Sequence, residues 1–308
     1  MIGFIQTWAG ECSAWECDDL GHLNMRHYMT KVRQARQMMI IRLGLHDAFK
    51  SRAFSAVRVR DFHIKYMGEA RPGNPLRIET AVLETGDSHV RLCHIMYHAT
   101  GKLAASVVET IDHVYLRTQN TFAWPQRFLE SAKAYTVEAQ PQPTASRGFN
   151  YGDPVMQPTE SDLKDWGVDC IGAGVFQPSE VGVDGRIGAQ PLLGRTTETV
   201  GHIKKAWPEM HDDAYREAGG SGALLEAMVT LGAPAEAGDA YHFYSGIHSA
   251  DQYTRRLEHN IVNVITGENI FSMTGIGCLF NLKTRKLVKT QTNEIAALNA
   301  AAIPAFSI

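Results

Sequence analysis

The chain has 308 residues, 44% hydrophobic and 20% charged, with a formal net charge of -3. That length suits two domains of about 130 to 150 residues, and the composition is that of a folded globular protein rather than a disordered one. No sequence-wide basic surplus points to nucleic acid or an anionic membrane, and no apolar run approaches the roughly 20 residues of a spanning helix, so neither is an expected partner.

Five cysteines, Cys12, Cys17, Cys93, Cys170 and Cys278, lie in no paired-ligand spacing. An odd, scattered set fits a reduced, cytoplasmic protein without a metal centre. The segment Met1-Ile2-Gly3-Phe4-Ile5-Gln6 has no basic stretch followed by a long apolar one, so a secretory leader is not expected.

The first element is an acidic turn, Trp15-Glu16-Cys17-Asp18-Asp19-Leu20-Gly21-His22-Leu23-Asn24, running straight into a helix. A helix start carries unpaired backbone N–H groups and partial positive charge, so a carbonyl oxygen docked there is polarised. Asp18 stands beside that start and can attack the carbonyl carbon or activate water. The N–H groups around Asn24 and Met25 are the natural oxyanion donors, while the Asn24 side chain can also cap the helix. The same turn would suit an ordinary capped helix without catalysis. Glu16 reads as a strand-end charge facing solvent.

In the helix, Tyr28, Val32, Ala35, Met39 and Leu43 recur at steps of three and four and mark the buried face. Lys31, Arg33 and Arg42 fall largely away from it, and Gly44 is a natural stop. Tyr28 is either core or a substrate contact. Strands follow: Ser55 to Met67, Leu76 to Val82 in alternation with Arg77, Glu79 and Ala81, Val90 to His98, and Leu103 to Leu116 after the turn Thr100-Gly101-Lys102. Arg58, Arg60 and Lys65 could meet ligand phosphates or form a solvated strand face.

From Trp124 to about Gly152 the apolar period is lost, and Ala139-Gln140-Pro141-Gln142-Pro143-Thr144-Ala145-Ser146 reads as a linker. Domains are expected over 1–123 and 153–308, joined by 124–152. The second half repeats the order with a β-like Cys170 to Phe176, an acidic turn, a helix with Leu192, Thr196, Thr199, Ile203 and Trp207 on one face, and four strands. These are Leu224 to Thr230, Tyr241 to Ser249, Leu257 to Ile265 and Ile270 to Leu282. A shift of 166 lays Asp18 on Asp184, Asn24 on Gln190 and Gly101 on Gly267, which suggests an internal duplication.

The acidic turn resembles the active-site signature of hotdog-fold thioesterases of the 4-hydroxybenzoyl-CoA thioesterase type, approximately Asp-x-Asp-x-x-Gly-His-x-Asn-x-x-x-Tyr. Glu16 replaces the first acid, and Asp18, Gly21, His22, Asn24 and Tyr28 match in place. The likeness continues through Lys31-Val32-Arg33-Gln34-Ala35-Arg36, where Gln34 stands at a position often acidic.

The resemblance implies an α+β tandem hotdog, each unit a curved antiparallel sheet around one long central helix. It implies hydrolysis of an acyl-CoA thioester, with Asp18 as the catalytic carboxylate and a backbone N–H near the helix start holding the oxyanion. Coenzyme A then enters as part of the substrate, and no separate cofactor is implied. His22 either bonds the acid or substrate, or packs under the turn. Asp184 is a candidate second acid, although Gly-His-x-Asn is missing around it. Glu198 is a candidate because other hotdog thioesterases carry a helix glutamate, yet its angular position points to solvent. A homodimer or higher homo-oligomer is compatible with the fold. Rival readings are an enoyl-CoA hydratase of the double-hotdog kind and a non-catalytic acyl-CoA binding protein.

Overall fold

A computed structural model describes residues 2–50, 52–138, 141–146, 148–149 and 155–307. The first half runs β1 (Ile5–Glu11), α1 (Met25–Arg42), β2 (Ser55–Tyr66), β3 (Pro75–Thr85), β4 (His89–His98), β5 (Leu103–Tyr115) and α2 (Gln126–Tyr135). After α3 (Glu160–Asp165), the order returns as β6 (Asp169–Val175), α4 (Ala189–Thr199), α5 (Asp213–Glu217), β7 (Gly220–Leu231), β8 (Ala240–Ala250), β9 (Thr254–Asn263), β10 (Asn269–Asn281), β11 (Lys286–Leu287) and α6 (Thr292–Ala300). Glycines in the left-handed region mark the repeat: Gly3 and Gly167, Gly21 and Gly185, Gly73 and Gly238, Gly101 and Gly267 all lie at φ between 70° and 96°. Their offsets grow from 164 to 165 to 166 along the chain, because single residues were gained in connections, where backbone length is least constrained.

Two compact units interleave in sequence, one formed by Met1–Arg147 with Ser179–Gly194, the other by Gly148–Pro178 with Arg195–Ile308. The expected boundaries, 1–123 and 153–308, do not describe this exchange. Nor is 124–152 a plain linker: Phe128 and Ala132 bury one face of α2, and the Ser106 hydroxyl and Lys65 ammonium donate to the carbonyls of Pro143 and Ala145. Residues 139, 140, 147 and 150–152 of that stretch lie outside the described residues.

In the first unit the sheet order is β1-β3-β4-β5-β2, antiparallel throughout. Helix α1 lies against β1, β3 and β4 with Tyr28, Val32, Ala35 and Met39 buried, as their spacing requires. Lys31 is also on that buried face, contrary to expectation, because its stem lies in the core and its ammonium meets the Glu16 carboxylate at 2.7 Å. Glu16 therefore does not face solvent: it is buried, and also accepts the Ser13 N–H at 2.9 Å.

A second buried polar chain crosses the unit, from Thr7 to Thr80 (2.7 Å), Thr80 to His94 Nδ1 (2.8 Å), His94 Nε2 to Glu109 (3.0 Å) and Glu109 to Arg36 (2.7 Å). Burial pulls the Glu109 carboxyl upward, but Arg36 and His94 outweigh it and hold the group below its ordinary range.

The second unit repeats the strand order as β7-β10-β9-β8-β6, with β11 paired to β10. Its core gathers Ile203, Trp207, Ile247, Leu257, Leu279 and Leu298 in one cluster, and Leu163, Tyr244, Val262 and Phe306 in another. The helix expected to reach Trp207 ends at Thr199, followed by a 3-10 turn over Val200–His202. Thr196, Thr197, Thr199 and Val200 are β-branched and Gly201 follows, so helix propensity is spent before Ile203. Ile203 and Trp207 reach the core from irregular backbone instead. Among the described residues no helix is long and apolar enough to cross a membrane.

Candidate active site

The acidic turn folds as a small closed loop. Cys17 and Leu23 face one another across an antiparallel bridge, the Asp18 N–H donates to the His22 carbonyl at 2.9 Å, and the Gly21 N–H donates to the Asp18 carbonyl at 3.0 Å. Gly21 sits at φ 73°, a conformation that glycine adopts at no steric cost. Asp18 Oδ1 accepts the N–H groups of Leu20 (3.0 Å) and His22 (3.1 Å), so this half-buried carboxylate is oriented by the turn it belongs to. Oδ2 accepts no hydrogen bond among the described residues. One oxygen is an anchor and the other is open.

The Asn24 side chain caps α1 by accepting the Arg26 N–H at 3.1 Å. Its own N–H is committed to the Glu16 carbonyl at 2.9 Å, which removes it from the two expected oxyanion donors. Met25, the first residue of α1, keeps an N–H with no acceptor among the described residues, and the helix dipole leaves partial positive charge there. Two buried pairings hold this helix start in place, the Leu23 N–H on the Ala70 carbonyl at 2.8 Å and Lys31 on both Glu16 and the Glu11 carbonyl.

His22 Nε2 lies 3.2 Å from the Glu69 carboxylate, so its ring is fixed by the segment after β2 while its backbone N–H fixes Asp18. Sequence reasoning passed over Glu69, which sits in Gly68-Glu69-Ala70-Arg71-Pro72-Gly73 with the look of a solvent turn. Tyr28 is buried, its hydroxyl donates to the Gly68 carbonyl at 3.4 Å, and its ring meets Tyr66 edge-on at 5.2 Å. Burial is the main cause that raises the Tyr28 phenol, and burial also raises that of Tyr66, so both stay neutral. Tyr28 supports the turn from beneath. His27 packs edge-on against the exposed Trp15, and burial followed by the Arg26 charge lowers its imidazole.

The second turn repeats this backbone with other side chains. Val181 faces Ile187 across a bridge, the Gly182 N–H donates to the Arg186 carbonyl, and the Gly185 N–H donates to the Gly182 carbonyl. These bonds match those of Asp18, Gly21 and His22 at an offset of 164, not 166. The counterpart of Asp18 is therefore Gly182, that of Asn24 is Gly188, and that of His22 is Arg186. Asp184 falls opposite Leu20 instead.

Its carboxylate is met by Arg58 Nε at 3.2 Å and by its own turn through the Arg186 N–H at 3.3 Å, while Arg58 and Arg186 also converge on the Gln119 side-chain oxygen. Arg60 forks onto Asp112, which raises its guanidinium. Both arginines expected to meet phosphate are thus ion-paired. Glu198 is exposed and accepts from Arg195 at 2.7 Å. Among the described residues no group of three or more histidine, cysteine, aspartate or glutamate side chains is arranged to hold a metal ion.

Residues 12–132 match the model of a family described as the thioesterase-like superfamily. Over 111 residues, 36% of this chain, the sequence is 26% identical to the L-carnitine dehydrogenase/betainyl-CoA thioesterase of Agrobacterium fabrum, and the match spans only 23% of that relative's length. The 12:0-ACP thioesterase from Umbellularia californica superposes with a TM-score of 0.67 over 89% of this chain and 93% of its own, at 11% identity. An acyl-ACP thioesterase from Bacteroides thetaiotaomicron gives 0.63 over 89% and 97%, at 9% identity. Matches of this extent and identity establish the fold along nearly the whole chain, a tandem hotdog.

Proposed function

We propose that the protein, whose residues 12–132 match the model of the thioesterase-like superfamily, hydrolyses acyl-CoA thioesters to a free acid and coenzyme A, with the working site at the first acidic turn. The observation that carries this reading is the geometry of Asp18, whose Oδ1 is held by two backbone N–H groups while Oδ2 is open beside the start of α1. The thioester carbonyl docks on the Met25 N–H, where the developing oxyanion gains a preorganised donor and the helix dipole. One such donor typically lowers the barrier by about 3 kcal/mol. Asp18 Oδ2 then attacks the carbonyl carbon or takes a proton from water, and the thiolate of coenzyme A leaves. His22, clamped by Glu69, keeps the carboxylate aimed.

The choice of carrier is supported by the Agrobacterium relative, a betainyl-CoA thioesterase. At the second turn glycine stands at the position matching Asp18, so no second catalytic carboxylate is assigned there. An acyl-CoA panel read by free-thiol release tests the assignment. Asp18→Asn is expected to lower kcat at least a hundredfold with the fold intact, while Asp184→Asn stays within about threefold of wild type. Retained turnover in Asp18→Asn, or hydration of crotonyl-CoA without thiol release, would overturn the reading.

A further inference from the structure

Two thiols, one in the acidic turn and one just ahead of it, are left unused by this chemistry. Cys12, just past β1, is fully buried and donates its N–H to the Asn74 carbonyl at 3.0 Å. Cys17 is half-buried, follows the 3-10 turn Ala14–Glu16 and directly precedes Asp18. Their Sγ atoms are 3.5 Å apart, and both thiols are directed toward the Ser13 carbonyl. Burial, reinforced by contact with Cys17, pushes the Cys12 thiol up to about 12. An oxidant arriving from solvent therefore meets Cys17 first.

We propose that Cys12 and Cys17 form an oxidant-modifiable dithiol, which hydrogen peroxide converts to a disulfide that displaces Asp18 and reversibly lowers turnover. The Cys17 sulfur attacks the peroxide O–O bond, becoming a sulfenic acid and releasing one water. The Cys12 sulfur then attacks that sulfur, the S–S bond forms, and the hydroxyl leaves with the Cys12 proton as a second water. Two thiols lose two electrons in all, and one peroxide is reduced to two waters.

A disulfide needs its sulfurs at about 2.05 Å, so the 3.5 Å gap must close. Cys12 is locked in the core, whereas Cys17 leads into a turn whose Asp19, Leu20 and Gly21 are exposed. The movement falls on Cys17 and carries Asp18 with it. Misplacing a catalytic group by about 1 Å is enough to lower a rate by around a hundredfold. The loss of turnover rests on the proposed role of Asp18; formation of the disulfide does not.

The test uses the full-length protein carrying Cys170→Ser, which removes the exposed thiol. Peroxide treatment is followed by intact mass, free-thiol count, non-reducing peptide mapping and the acyl-CoA assay. The expected result is loss of two hydrogens within the peptide that holds Cys12 and Cys17, loss of two of the four remaining thiols, and at least a tenfold fall in kcat that dithiothreitol reverses. Adding Cys17→Ala should abolish the mass change. Oxygen gain without hydrogen loss, pairing between molecules, or a disulfide that leaves kcat unchanged would overturn the proposal. A reduced protein that hydrolyses no acyl-CoA would instead defeat the functional reading, while mass and thiol count still decide whether the dithiol closes.

Discussion

Lys31 and Glu16 show how a single pairing can reverse what a residue type suggests. Charged side chains normally face water, so a periodicity argument assigns Lys31 to the solvent side of α1 and Glu16 to a strand end. Nothing in a one-dimensional pattern announces that two charges 15 residues apart will neutralise each other in the core. The pairing holds the loop ahead of Asp18 against the helix behind it, which links a stability feature to the site. Lys31→Met should leave the Glu16 carboxylate buried and uncompensated, lowering the unfolding free energy in urea by about 3 to 5 kcal/mol. Adding Glu16→Gln should recover most of that loss, and a cost under about 1 kcal/mol for Lys31→Met alone would mean the pair is effectively solvated. The turn that holds Asp18 was legible because the spacing of Asp18, Gly21, His22 and Asn24 is long and specific. Glu69 was not, since its contact with His22 depends on where β2 ends.

Among elements, strands were the most readable: the start of β3 alternates between buried and more open positions, and glycines at 73, 101, 238 and 267 mark the turns that precede β3, β5, β8 and β10. Short amphipathic pieces fared worse. Helix α2 buries only Phe128 and Ala132, too few positions to show a period, and β1 was passed over. The duplication was visible, but the shift of 166 that laid Asp18 on Asp184 and Asn24 on Gln190 holds at Gly101 and Gly267 and is two residues out of step at the turn.

That turn makes a direct prediction. Gly21 and Gly185 both have φ above 70°, and a Cβ at either would touch nothing within 4 Å, so alanine there suffers only the left-handed backbone cost of roughly 1 to 2 kcal/mol. Thermal denaturation should show similar losses for Gly21→Ala and Gly185→Ala. Only Gly21→Ala should also reduce thiol release, by tenfold or more, since the second turn has glycine at the position of Asp18 and its Asp184 is paired with Arg58. Equal effects on turnover would mean that both turns work.

Across the whole molecule, the two copies keep the same strand order but have diverged inside. The chain from Thr80 through His94 and Glu109 to Arg36 has as its second-copy counterparts Ser245, His259, Gly275 and Val200, with Ser245 and His259 opposite each other as Thr80 and His94 are. Stripped of the carboxylate, His259 Nδ1 and Ser245 Oγ are buried with no hydrogen-bond partner among the described residues. Burial alone lowers the His259 imidazole to about 4.

An unfolded histidine takes up a proton near its ordinary value of 6.5, but the folded one resists until about pH 4. Between those values the unfolded state binds more protons, so stability must fall as the medium is acidified through that window, and level off below it. His259→Leu should flatten this part of the profile and raise stability at pH 5, read as a higher urea midpoint with unchanged slope. A wild-type profile flat from pH 6.5 to 4 would contradict it. Glu160 acts in a lower window, for His242, Lys164 and Tyr244 hold its carboxyl down to about 2 against burial. Its contribution is present above the ordinary carboxylate range and disappears as pH drops toward 2, so Glu160→Gln should remove that acid limb.

The exchange of Ser179–Gly194 into the first unit bears on how the protein is born. Domains commonly fold in order as they leave the ribosome. Here the leading unit lacks one of its own pieces until Gly194 has been synthesised, so its closure must wait for part of the trailing one. A fragment truncated between the repeats would therefore lack the Ser179–Gly194 piece of the leading unit.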